Sequence, residues 1–200
     1  MNFLAHIFLS GDHELITLGN FVADGIRGRK YKDYPPEMQV GILLHREIDT
    51  FTDAHPIVRQ STKRLHKNYS HYSGVIVDIF YDHFLAKNWN HYEAEDLESY
   101  VQRFYRSIER HYDLMPKRFK DLTPYMINGN WLYSYRTMEG IQKVLNGMNR
   151  RTNNKSRMNE AKEELRLYYD DFEKEFEAFF KLLIQHSSEV KAELIKSYNL

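Results

Sequence analysis

The sequence predicts an all-α fold, a single-domain helical bundle over residues 1–200. Apolar residues recur at three-to-four spacing almost throughout, the pattern of helices with one buried face. No alternating apolar and polar run is long enough for a strand, and no linker, repeat or low-complexity stretch divides the chain. A chain of 200 residues buries enough of its surface to fold without disulfides or a structural metal.

The N-terminal MNFLAHIFLS is apolar for only a few residues, contains a histidine and lacks a basic leader, so it does not read as a signal peptide. Leu15, Leu18, Val22 and Ile26 form the stripe of a helix that carries Asp24 beside it and ends near Gly25 and Gly28. Tyr34-Pro35-Pro36 opens the next helix, because proline tolerates a first turn, and it runs through His45 to about Asp53. After Pro56 a short helix spans Ile57 to Lys67. The Ser70 to Gly74 region punctuates before a strongly apolar helix from Val75 to Leu85. Leu97, Val101, Phe104 and Ile108 mark an amphipathic helix, and Pro116 and Pro124 bracket shorter pieces before Trp131. Gly140 to Met148 is helical again. Leu165, Tyr168, Phe172, Phe176, Phe179 and Leu183 share one side of a long last helix that caps the bundle.

Composition narrows the chemistry. The absence of cysteine removes thiolate nucleophiles, zinc–thiolate sites and iron–sulfur clusters, fits a cytoplasmic protein, and leaves imidazole and carboxylate as metal ligands. No run approaches the roughly 20 apolar residues of a membrane span. With 28 basic against 28 acidic residues the global field favours neither nucleic acid nor a membrane, so any electrostatic recognition comes from local clusters.

Two segments place acids and histidines at helical spacing: His45-Arg46-Glu47-Ile48-Asp49 and Asp78-Ile79-Phe80-Tyr81-Asp82-His83. Residues four apart share a helix face, so His45 with Asp49 and Asp78 with Asp82 each turn two polar groups the same way. His6 and Asp24 stand in other apolar segments. Buried ionisable groups are costly unless they are paired or hold a cation, so a metal site built from these faces and metal-assisted hydrolysis are the expected reading. A single histidine among apolar residues is more often a hydrogen-bonded core residue; the clustering is what shifts the balance. Imidazole with carboxylate suits manganese, iron or zinc, whereas magnesium prefers oxygen alone. Asp53 and His55 fit a helix end as well as a ligand role, and Tyr81 fits packing.

Asn2-Phe3-Leu4-Ala5-His6, Gly19-Asn20-Phe21-Val22-Ala23-Asp24, His45 to Asp49 with Thr52-Asp53, Tyr81-Asp82-His83-Phe84-Leu85, and Tyr135-Arg136 with Gly140-Ile141 and Val144-Leu145 closely resemble the acyl carrier protein phosphodiesterases. The resemblance covers nearly the whole chain in the family's order. It implies hydrolysis of the phosphodiester that joins 4′-phosphopantetheine to holo acyl carrier protein, work with manganese, and a divergent His-Asp phosphohydrolase fold. One departure from that superfamily is plain: no His-Asp dipeptide occurs in the chain.

On this reading Asp24, His45, Asp49 and Asp82 are the expected metal ligands, with iron, zinc or magnesium as alternatives to manganese. His6 and His83 are expected as ligand, general acid or orienter of a carboxylate, with Asp78 beside them. Arg46 and Arg27 are candidates for phosphate, since a guanidinium fork matches its oxygens. An acidic carrier protein calls for basic docking patches. Arg27, Arg29, Lys30 and Lys32 form one candidate; Arg150 and Arg151, within the acid-free run from Lys143 to Arg157, form another. The same patches equally fit a non-catalytic module that binds an acidic protein, and the same site fits a phosphohydrolase of nucleotides or other small phosphoesters.

Overall fold

The computed structural model describes residues Met1–Leu200 and consists of helices and turns, with no strand. In chain order the α-helices are α1 (Phe3–Ser10), α2 (Glu14–Val22), α3 (Pro36–Ala54), α4 (Pro56–Tyr69), α5 (Ser73–Lys87) and α6 (Leu97–Arg110), then α7 (Lys117–Asn128), α8 (Trp131–Ser134), α9 (Met138–Arg151), α10 (Lys162–Leu167) and α11 (Tyr169–Ser197). The expected all-α architecture is the observed one. No helix is long and apolar enough to cross a membrane.

Several ends are written in local chemistry. Asp96 accepts from the Ser99 amide to start α6, and Thr137 accepts from the Gly140 amide to start α9. Pro36 and Pro56 sit at the first positions of α3 and α4, where a missing N–H costs nothing. Three boundaries differ from the sequence expectation, the first being the long last helix, which divides at Tyr168 so that Leu165 lies on α10 and Phe172 to Leu183 on α11. The first stripe stops being α-helical at Val22, and Ala23–Gly25 tightens into a 3₁₀ turn that turns Asp24 out of the helix. Helix α7 continues through Pro124 instead of breaking there; the Lys120 carbonyl, which has no N–H from Pro124, accepts the Tyr112 hydroxyl at 3.5 Å.

Two contacts position the site. Helices α2 and α3 meet backbone to backbone: a Cβ on Gly19 would overlap the Met38 carbonyl, and one on Gly41 would overlap the Ile16 carbonyl. This brings Asn20 of α2 against His45 of α3. Helix α1 is short and has no side-chain cap of its own. Its first amides, Leu4 and Ala5, donate to the two oxygens of Asp82 on α5 at 2.7 and 3.0 Å, which locks α1 across the bundle. Beneath, Phe172, Phe176, Phe179 and Phe180 of α11 are fully buried, each contributing roughly 1.5–3 kcal/mol of apolar burial.

Candidate metal centre

His45 and Asp49, one turn apart on α3, place Nε2 and Oδ2 3.1 Å from each other. His6 of α1 stacks on the His45 ring, centroids 3.9 Å apart and planes 17° from parallel, and its Nε2 lies 3.2 Å from Asp49 Oδ1. Asp24 reaches in from the 3₁₀ turn with Oδ1 3.5 Å from His45 Nε2. One potential ligand atom from each of His6, His45 and Asp49 lies within 4.8 Å of the others.

The orientation of His45 is set from behind. Its Nδ1 faces the Asn20 carbonyl at 2.9 Å and Asn20 Oδ1 at 3.2 Å, both acceptors, so Nδ1 carries a proton and Nε2 is the nitrogen turned to the carboxylates. Asn20 is held in turn: its amide donates to Ser10 Oγ at 2.9 Å, and that hydroxyl donates to the His6 carbonyl at 2.8 Å. Thus one chain of hydrogen bonds ties the backbone of one imidazole to the ring of the other.

Electrostatics separate the two histidines. Burial, reinforced by the neighbouring His45, lowers His6 to about 4, so it is neutral at pH 7. For His45 burial pulls the same way, but Asp24 and Asp49 outweigh it and hold the ring up at about 9. Burial opposes ionisation of Asp49, yet the adjacent His45 and His6 rings and the Met1 amino group hold it far below the usual carboxylate range. Close as these groups are, Nδ1 and Nε2 of His6 and Nε2 of His45 are buried without a hydrogen bond, because the Asp49 oxygens approach off the direction a hydrogen bond needs. The two orphaned Nε2 atoms beside carboxylate oxygens are an arrangement that a divalent cation satisfies.

Asp78 stands one step out. The buried Met1 amino group lies 3.5 Å from Asp49 Oδ1 and 3.2 Å from Asp78 Oδ1, and is raised to about 10 because those two carboxylates overcome its burial. Burial also raises Asp78, with the amino group pulling against it.

Other expected members lie elsewhere, and the reason in each case is a distant partner. Asp82, expected as a ligand, has both oxygens on the α1 amides; its burial pushes it up to about 7 against those bonds. His83 has Nδ1 on the Tyr135 carbonyl at 2.7 Å and Nε2 on the Tyr169 hydroxyl at 2.8 Å, so both its nitrogens are engaged by other segments of the chain. Arg46, expected on phosphate, donates to the Ile26 and Gly28 carbonyls at 3.2 and 2.9 Å and lies over Tyr31, so it clamps the loop on either side of Arg27. His55 caps α4 by accepting from the Ile57 amide. Arg29, Lys30, Lys32, Arg150 and Arg151 are exposed. Asn20, Ser10 and Arg118 were not singled out by sequence; Asn20 alone carried a signal, as an amide inside the apolar run before Asp24.

The model of the family described as acyl carrier protein phosphodiesterase matches residues 1–183. An acyl carrier protein phosphodiesterase of Photorhabdus laumondii is 32% identical over 186 residues, covering 92% of this chain and 94% of the relative. Those of Yersinia pestis and Yersinia enterocolitica are 36% identical over 153 residues and 30% over 190, covering 76% and 94% of this chain and 79% and 98% of the relatives. No solved structure matches the chain.

Proposed function

Because the chain belongs to the acyl carrier protein phosphodiesterase family, we propose that it hydrolyses holo acyl carrier protein to the apo form, as a manganese-dependent enzyme of the cytoplasm. Water's oxygen forms the new bond to phosphorus, the bond from phosphorus to the serine oxygen breaks, and that oxygen takes a proton. The products are 4′-phosphopantetheine and the free serine of the carrier.

The observation that carries this reading is the convergence of His6, His45 and Asp49, with imidazole nitrogens buried and without hydrogen bonds. These three with Asp24 would hold the ion, and their mixture of nitrogen and oxygen suits manganese, with iron or zinc as alternatives. When bound, the ion lowers the pKa of water and neutralises charge on the phosphoryl oxygens. His6, neutral and fully buried, offers a lone pair. Asn20 keeps the His45 ring from rotating, and Asp24, half-exposed at the mouth, leaves the outward side open to a protein-borne diester.

The test is mass spectrometry of holo acyl carrier protein incubated with chelator-stripped enzyme, with and without added manganese. Loss of the prosthetic group only when manganese is restored is the expected result. No loss with any divalent ion, or hydrolysis confined to nucleotides, overturns the reading.

A further inference from the structure

The Asp24 turn is braced by a residue from the far half of the chain. Arg118, in the first turn of α7, donates from Nη1 to the Asp24 carbonyl at 3.3 Å. Its placement is rigid: a Cβ on Gly25 would touch Pro116 and the Phe119 ring at 3.0–3.1 Å, and Phe119 packs edge-on against Phe3 and Phe21. Arg151, from the end of α9, and Arg27, from the loop that Arg46 clamps, both lie within coulombic reach of Arg118. Asp24 lies within the same reach of Arg118, and none of the three arginines forms a salt bridge. An exposed arginine without a salt bridge, set against the turn that carries Asp24, fits a site whose counter-ion arrives with the ligand.

We infer that Arg118, flanked by Arg27 and Arg151, grips the non-bridging oxygens of the scissile phosphodiester. The inference rests on the reading of this chain as a phosphodiesterase, and it adds the residue that sets phosphate affinity. Geometry favours Arg118 over Arg46: both have backbone contacts and lie over an aromatic ring, Tyr31 for Arg46 and Phe119 for Arg118, but Arg46 is half-buried with two carbonyls on one nitrogen, whereas Arg118 is exposed and makes one long bond. A planar fork matches two phosphate oxygens at once, and the flanking arginines raise the local concentration of the anion.

Inorganic phosphate is the probe, titrated calorimetrically into the manganese-loaded protein, with manganese affinity measured separately. Arg118→Ala is expected to weaken phosphate binding by about tenfold or more while manganese affinity stays within about twofold of wild type. Arg118→Lys, which keeps charge and stem but lacks the fork, is expected to fall between the two. Arg27→Ala and Arg151→Ala should each weaken phosphate by only a few fold. Unchanged phosphate affinity in Arg118→Ala, or no phosphate binding to the wild-type protein, overturns the inference. So does a parallel loss of manganese affinity in both Arg118 variants, since Arg118 would then serve only to brace the Asp24 turn. Release of the prosthetic group from holo carrier protein is scored apart from these titrations, so a wrong substrate leaves the phosphate result standing.

Discussion

On α3, His45 and Asp49 lie against His6 of α1, and the imidazole nitrogens between them are buried without a hydrogen bond; on α5, Asp82 and His83 have every polar side-chain atom occupied by another part of the protein. Both segments show acids and histidines breaking an apolar helix, and both raise the same cost of burying a polar group. The α5 residues meet that cost internally, with two backbone amides, a carbonyl and a tyrosine hydroxyl. Those of α3 leave it open, which is the condition of a site that waits for a ligand. Helical spacing says that two groups share a face; what the facing element offers decides whether the pair is framework or chemistry.

The most severe way to break this contrast is Asp49→Asn. The substitution is nearly isosteric and the side chain is partly exposed, so the helical circular-dichroism signal should persist. Hydrolysis of holo carrier protein should fall by more than ~100-fold, because even outer partners of a metal ligand cost about 10–100-fold. Near-normal turnover would remove Asp49 from the ion and undo the distinction between the two helices.

Asp82→Asn tests the other side. One of the two α1 amides would lose its acceptor in a fully buried place, at a cost of about 1–3 kcal/mol. The expected outcome is a lower urea midpoint, with manganese affinity of the folded protein close to wild type. If manganese binding instead fell as in Asp49→Asn with no loss of stability, α5 would belong to the centre.

How far the sequence reached follows from the same contrast. The bundle was legible because helical periodicity is local, and so was the proline-led start of α3. Helix α1 was not, since its capping group is Asp82, far along the chain. His6, Asp24, His45 and Asp49 were named together with Asp82 and His83, and nothing in the spacing separates the two sets. The separation comes from amides and carbonyls, which the side-chain alphabet does not display. Arg118 carried no signal at all: it is one arginine among many, and only the packing of Phe119 against Phe3 and Phe21 puts it at Asp24.

A smaller effect sharpens the account of α3. Asn20→Ala removes Oδ1 from His45 Nδ1 and frees Ser10, but leaves the Asn20 backbone carbonyl at 2.9 Å as an acceptor. With one of two acceptors kept, manganese affinity should drop by about tenfold, the low end for loss of an orienting partner. No change would mean that the Gly19–Gly41 contact alone fixes the ring.

The smallest effect extends the comparison to the surface. Arg29 and Lys30 sit in the exposed segment Gly28–Asp33, beside the loop that Arg46 of α3 clamps, and neither has a carboxylate partner. Lys87, at the end of α5, is already paired with Glu173 at 2.9 Å. Reversing Arg29 and Lys30 together to Glu should raise the KM for holo carrier protein a few fold and leave kcat nearly unchanged, because contacts remote from phosphorus act equally in ground and transition states. The difference should shrink with added salt, since exposed charges are screened over roughly 10 Å at 0.1 M ionic strength. A small phosphodiester should be hydrolysed as by wild type, which separates docking from the Arg118 effect, where both substrates suffer. Lys87→Glu, by contrast, should lower stability slightly, by up to ~1 kcal/mol, without moving KM. If reversing Lys87 raises KM and reversing Arg29 with Lys30 does not, the carrier protein docks along the α5 end of the bundle, and the exposed cations nearest α3 are only solvated surface.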